Sequence, residues 1–197
     1  MDTLTISLNP TGHREFVSHL DRFVRESEWI LAAWDAYSED HTDLDGWPYD
    51  EDAYGLRKSR RDADTAEAFE SVRAGARHLL ATAETQLTAL PARTVQNRWV
   101  WQLGTLHNAL ERLESLHAEW LQTRDSLPAD ARPGTDIYEH TLAGYHAEAW
   151  SYLDDWATHG RAILDIHAAA LKAPPRILSA ARAPAAAVAR RRAGRPG

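Results

Sequence analysis

Apolar positions recur in steps of three and four through most of this chain, the spacing that lines one face of an α-helix. One such series is Trp99, Leu103, Leu106, Leu110, Leu113, His117, Trp120, Arg124 and Leu127. Leu116 and Leu121 widen this stripe, and Glu111, Arg112, Glu114, Glu119 and Gln122 form the solvated face between. A second series follows: Tyr138, Leu142, Tyr145, Ala149, Tyr152, Trp156, His159, Ile163, Ile166 and Ala170. Between them lies Pro128-Ala-Asp-Ala-Arg-Pro-Gly134. Residues 94–171 therefore read as a helical hairpin. Thr94 caps the first arm, Pro128 stops it by forcing the preceding residue out of the helical region, and Thr135 caps the second arm. Each arm of roughly 34 residues spans roughly 50 Å. Charges interrupt both stripes too often for a membrane span.

The first half supplies partners for these stripes. Phe16, Leu20, Phe23, Ser27, Ile30, Trp34 and Tyr37 predict a helix from about Thr11. Ala66, Phe69, Val72, Ala76, Leu79, Ala83, Gln86 and Leu90 predict another, capped by Asp64 with Glu67 three residues on and ended by Pro91. Between these two helices, His41 to Arg61 reads as a long connection, acidic at first and basic at its end, of a length found mostly in functional segments. Leu4, Ile6 and Leu8 alternate with Thr3, Thr5 and Ser7. With no second strand to pair with, residues 1–10 read as an extended arm on the bundle, or as an edge for another chain. Short links make neighbouring helices antiparallel. The expectation is an all-α fold, an antiparallel four-helix bundle of up-down-up-down course over residues 11–171, with a long loop after the first helix and a basic C-terminal tail.

Charge sharpens this division. The formal charge is −7, while residues 172–197 carry seven basic side chains and no acidic one, leaving −7 − 7 = −14 on residues 1–171. The tail, with four prolines, is expected to hold no stable structure in isolation. Its Arg190, Arg191 and Arg192 suit nucleic acid or an acidic partner surface. The acidic body repels phosphates, and no helix-turn-helix or basic-aromatic RNA motif accompanies it. Arginine outnumbers lysine twenty to two and alanine is abundant, which points to a high-GC coding bias. There is no cysteine, so disulfides and thiolate chemistry are excluded. Met1 to Leu8 lacks the basic and apolar regions of a signal peptide, and the expected location is cytoplasmic.

Three constellations could carry chemistry. Glu114-Ser-Leu-His117 has the Glu-x-x-His spacing of di-iron carboxylate bundles, in which both side chains reach one metal. Folding the hairpin about residue 131 brings His146 and Glu148 level with His117, and folding about residue 92 brings Glu67 and Glu70 there too. Glu114, His117, His146 and Glu70 are the resulting metal candidates. The resemblance to the di-iron family is partial, since the family uses two Glu-x-x-His pairs and this chain has one. Asp155 and His159, one turn apart with His107 nearby, could orient a general base, but no nucleophile context accompanies them. His41 to Asp52 resembles a calcium loop, with Asp43, Asp45, Gly46 and a twelfth-place acid. It departs from that pattern with His41 at the first place, Pro48 in the middle and a short final ligand. No glycine-rich phosphate loop is present, and no cofactor is expected.

Eight tryptophans are many for 197 residues. Trp34, Trp99, Trp120 and Trp156 fall on the stripes. Trp29, Trp101 and Trp150 fall off them and are candidate partner-binding residues. The segment His146-Ala-Glu-Ala-Trp150-Ser-Tyr-Leu-Asp-Asp-Trp156-Ala-Thr-His159-Gly-Arg-Ala-Ile-Leu-Asp-Ile-His167 resembles uncharacterised helical proteins of high-GC actinobacteria over about residues 94–171. That resemblance supports the helical reading and implies no activity. The leading expectation is a non-catalytic interaction or accessory protein whose partner is another protein or a second copy of the chain. A metal-carboxylate bundle and a nucleic-acid-associated factor acting through the tail are the alternatives.

Overall fold

The structure, a computed structural model, describes residues 10–173. The N-terminal arm over residues 1–9 and the tail from residue 174, with Arg190, Arg191 and Arg192, lie outside the described residues. Among the described residues all extended regular structure is helical: α1 (Pro10–His41), α2 (Glu51–Arg73), α3 (Ala76–Ala89), α4 (Asn97–Ser126), α5 (Asp136–His159) and α6 (Arg161–Lys172), with a 3-10 turn at Ala92–Thr94. The single β-bridge joins Thr42 to Pro48 within a loop. No helix here is long and apolar enough to cross a membrane.

The all-α expectation holds, and two details differ. The connection after the first helix covers residues 42–50 and not 41–61, because α2 starts at Glu51. Its start is set by local chemistry rather than by an apolar stripe. The Asp50 side chain accepts from the Ala53 N–H at 3.0 Å, and Glu51 and Asp52 place negative charge at the positive end of the helix. Asp64, expected as the cap, sits mid-helix and meets Arg60 one turn back at 3.7 Å.

The second difference is that two expected rods are each broken by a glycine. Gly75 separates α2 from α3, and the Phe16 ring of α1 lies where a side chain would stand. A Cβ there would meet Phe16 Cδ1 at 2.4 Å. Gly160 separates α5 from α6, and a Cβ there would meet Leu20 and Val24 of α1 at 3.2 and 3.3 Å. Similarly, Thr94 closes the 3-10 turn, and the residue before α4 is Gln96, whose side chain makes no capping bond. Thr135 does precede α5, but its hydroxyl donates to the Arg132 carbonyl at 2.8 Å instead of capping.

Helix α4 packs along α5, and α1 along α2; α2 meets α5, and α3 meets α6. The two predicted stripes of residues 94–171 face inward. Trp99, Leu103, Leu106, Leu110, Leu113 and Trp120 of α4 are buried, as are Ala149 and Trp156 of α5 and Ile163 and Ile166 of α6. The centre is aromatic: Phe69 stands edge-on to both Phe23 and Trp156, at centroid distances of 5.2 and 5.4 Å.

Candidate functional site

Arginines occupy the carboxylates of the expected metal candidates, and Glu70 bears on both His117 and His146. Both oxygens of Glu70 accept from Arg73, at 3.1 Å from Nε and 2.6 Å from one terminal nitrogen, and the same arginine donates to the Tyr145 hydroxyl at 3.2 Å. Glu114 is forked by Arg77, with one bond of 2.7 Å from Nε. His117 is half-buried. Burial holds its pKa below the usual imidazole value, Arg73 and Arg124 lower it further, and Glu70 opposes them. His146 is lowered by burial against the pull of Asp62, Glu70 and Glu139. Among the described residues no group of three or more histidine, aspartate or glutamate side chains is arranged to hold a metal ion. Glu67 stands apart on the α1–α2 side, and Glu148 lines a hollow between α4 and α5.

The other two constellations are also taken up locally. Asp43 Oδ1 accepts from the Asp45 and Trp47 backbone N–H groups at 3.0 and 2.9 Å, and Gly46 turns the chain at φ +83°. With Asp50 capping α2, Asp43 and Asp50 both serve the backbone of this loop. His107 is bound to Glu84 at 2.8 Å. His159 carries the edge of Trp101 at 4.8 Å, and its Nδ1 is buried without a partner. Asp154, beside Asp155, has its carboxyl pushed up by burial and then by that neighbour's charge.

The three off-stripe tryptophans do not form one patch. Trp150 is half-buried against a guanidinium: Arg61 lies 3.7 Å from its ring centroid and 4.7 Å from that of Trp34. Arg61 also forks Oδ1 of Asp62 at 2.9 and 2.6 Å, and both side chains are almost wholly buried. Burial pushes the Asp62 carboxyl up, against the opposing pull of Arg61. Trp101 is exposed but rests on His159. Trp29, by contrast, is 74% exposed and makes no ring contact with another described aromatic residue.

Trp29 stands on the wall of a cleft of ≈ 820 Å³ between α1 and α2. Arg22, Arg25, Glu26 and Ile30 share its wall on α1, opposite Asp64 and Glu67 on α2. A smaller hollow of ≈ 110 Å³ shares Trp29, Ile30 and Asp64 and continues toward Trp34 and Arg57. Both charges line the cleft. Arg25 is paired with Asp21 at 2.9 Å, so it is partly neutralised.

Sequence reasoning missed a histidine chain. His13 Nδ1 and His78 Nε2 are 3.1 Å apart, and His13 Nε2 and His167 Nδ1 are 3.3 Å apart. The three residues come from α1, α3 and α6, and no local spacing relates them. Only His78 and His167 falling beside the stripes of their helices hinted at it. The arrangement of all these residues has to stand on its own geometry, because no protein-family model, curated protein or solved structure matches the chain.

Proposed function

We propose that this protein is a non-catalytic helical interaction module that receives a partner helix in the α1–α2 cleft, with Trp29 as the anchor. The observation that carries this reading is a large aromatic side chain left three-quarters exposed beside an ≈ 820 Å³ hollow. Tryptophan concentrates in the energetic centres of interfaces, and an isolated one in water gains nothing from its position. The floor of the cleft is two adjacent helices, the geometry in which an amphipathic helix lays its apolar side. Such a helix would set an apolar residue against Trp29 and Ile30, an acidic one toward Arg22 and a basic one toward Glu67. In this reading α2–α3 and α5–α6 act as single bent rods, so the six helices make a four-rod, up-down-up-down bundle working in the cytoplasm.

Arginine occupancy of Glu70 and Glu114 speaks against the carboxylate-metal alternative as the protein's purpose. The test is capture from cells that naturally make the protein, using the full chain and its Trp29→Ala and Trp101→Ala variants. The expected result is a partner held by the wild type and by Trp101→Ala and lost by Trp29→Ala, with unchanged far-ultraviolet circular dichroism. Retention by Trp29→Ala, or no partner for a monomeric wild type, overturns the reading.

A further inference from the structure

We infer that the His78–His13–His167 chain is a proton-counting latch, which fastens the first turns of α1 to α3 and α6 near neutral pH and lets go when a second extra proton arrives. The inference uses a different site from the α1–α2 cleft and does not depend on it.

The chain has two links, His78 Nε2 to His13 Nδ1 and His13 Nε2 to His167 Nδ1. Each link is a hydrogen bond only if one proton, and one alone, lies between its two nitrogens. Three neutral imidazoles bring three protons. Two fill the links, and the third sits on an outer nitrogen, either Nδ1 of His78 or Nε2 of His167. A fourth proton fills the other outer nitrogen, and both links survive, with the charge shared along the chain. A fifth has no outer place left. It must enter a link, where two N–H groups then face each other and two imidazolium charges repel across about 3 Å. One link has to open.

Among the described residues the charged or titratable groups that bear on His13 are His167 on α6 and His78 on α3. Burial, then His167 and His78, hold His13 below the usual imidazole range. The remaining partners are neutral. The Thr82 hydroxyl lies 3.4 Å from His78 Nε2, the Gln86 amide nitrogen 3.2 Å from His167 Nδ1, and the His78 ring is tilted against Phe16 at 5.8 Å. Phe16 in turn fills the notch at Gly75. Opening a link therefore loosens the seat of the N-terminal part of α1, while the deep core around Phe69 has no part in it.

Hydrogen exchange of the full chain at about pH 7.5 and about pH 5, corrected for intrinsic rates, tests this. In the wild type, peptides covering the first turns of α1 should lose roughly tenfold in protection at the lower pH, and α4–α5 peptides should lose less. In the His78→Gln/His167→Gln double variant each carboxamide can turn its oxygen toward His13 when that ring is charged, so both links survive. Protection of α1 should then stay level between the two pH values. If that variant is already unprotected at pH 7.5, the His13→Gln/His167→Gln double variant, in which His78 can charge on its outer nitrogen alone, provides the reading, and level protection is again expected. A wild type without the loss, a loss spread evenly over all helices, or a loss that persists in the variant used overturns the inference.

Discussion

The guanidinium of Arg61 lies flat enough over Trp150 to bring its carbon within 3.7 Å of the ring centroid, while the same group holds the carboxylate of its own neighbour, Asp62. Two opposite charges are thus taken out of water side by side in α2, and an aromatic face from α5 covers the cation. A desolvated cation over an indole gains about 2 kcal/mol. Arg61→Ala removes this and strands Asp62 in a buried site. It should cost about 3–5 kcal/mol in urea unfolding. Arg61→Ala combined with Asp62→Ala should cost less than Arg61→Ala alone, since the stranded charge is gone. Equal losses would show that the pair is not desolvated as described.

Gly75→Ala should destabilise the protein by about 1–3 kcal/mol, because its new methyl group has to displace the Phe16 ring. A double-mutant cycle with Phe16→Ala checks the cause. The two changes together should cost less than the sum of the separate losses, and strict additivity would exclude the clash.

Trp29→Ala should change stability by no more than about 0.5 kcal/mol, whereas Trp156→Ala should cost about 3–5 kcal/mol. The two residues are the same in type and opposite in setting, 74% against 0% exposed. Thermal or urea unfolding of the two variants measures the contrast directly.

Stability should fall as the pH drops through the imidazole range. His13, His117 and His146 all have pKa values held below 6.5 in the folded chain, first by burial. The unfolded chain then binds more protons than the folded one on acidification, so stability is fully present above about pH 6.5 and declines below it. Urea midpoints between about pH 7.5 and about pH 5 measure the slope, and His146→Gln should flatten it. A midpoint that rises on acidification would contradict the burial of these rings.

Helices whose cores are built from periodic stripes were legible in the sequence. Both arms of residues 94–171, the turn at Pro128–Gly134 and the burial of Trp99, Leu106 and Trp156 follow from spacing alone. The first eleven residues of α2 were not legible. Between Glu51 and Arg61 only Tyr54 and Leu56 are large and apolar, and Leu56 points into water at 74% exposure. That segment is helical because of Asp50 and its acidic first turn. The Gly75 break was hidden for a related reason: it reflects the Phe16 ring of α1 pressing from outside, which no pattern within the broken helix records.

For the candidate site, folding the chain on paper put Glu70, His117 and His146 at a common level, and the field of Glu70 does reach both rings. The Glu70–Arg73 pair, three residues apart on α2, was legible from spacing and was passed over, whereas Arg77 claiming Glu114 depends on rotamers across helices. The histidine chain and the covering of Trp150 by Arg61 are likewise contacts between distant residues.

Phe16 enters the notch at Gly75, and Leu20 and Val24 the one at Gly160, so α1 works as a wedge at the α2–α3 and α5–α6 junctions. Its seat at Gly160 is made of residues synthesised about 140 positions later. A ribosome must therefore release most of the chain before the first helix can settle, and until then its Phe16, Leu20 and Phe23 edge has only the partial seat offered by α2 and α3. Contacts this far apart in sequence slow the search for the native state. A version of the protein reordered to begin at residue 51 and end with α1 would synthesise the wedge last, after both notches exist.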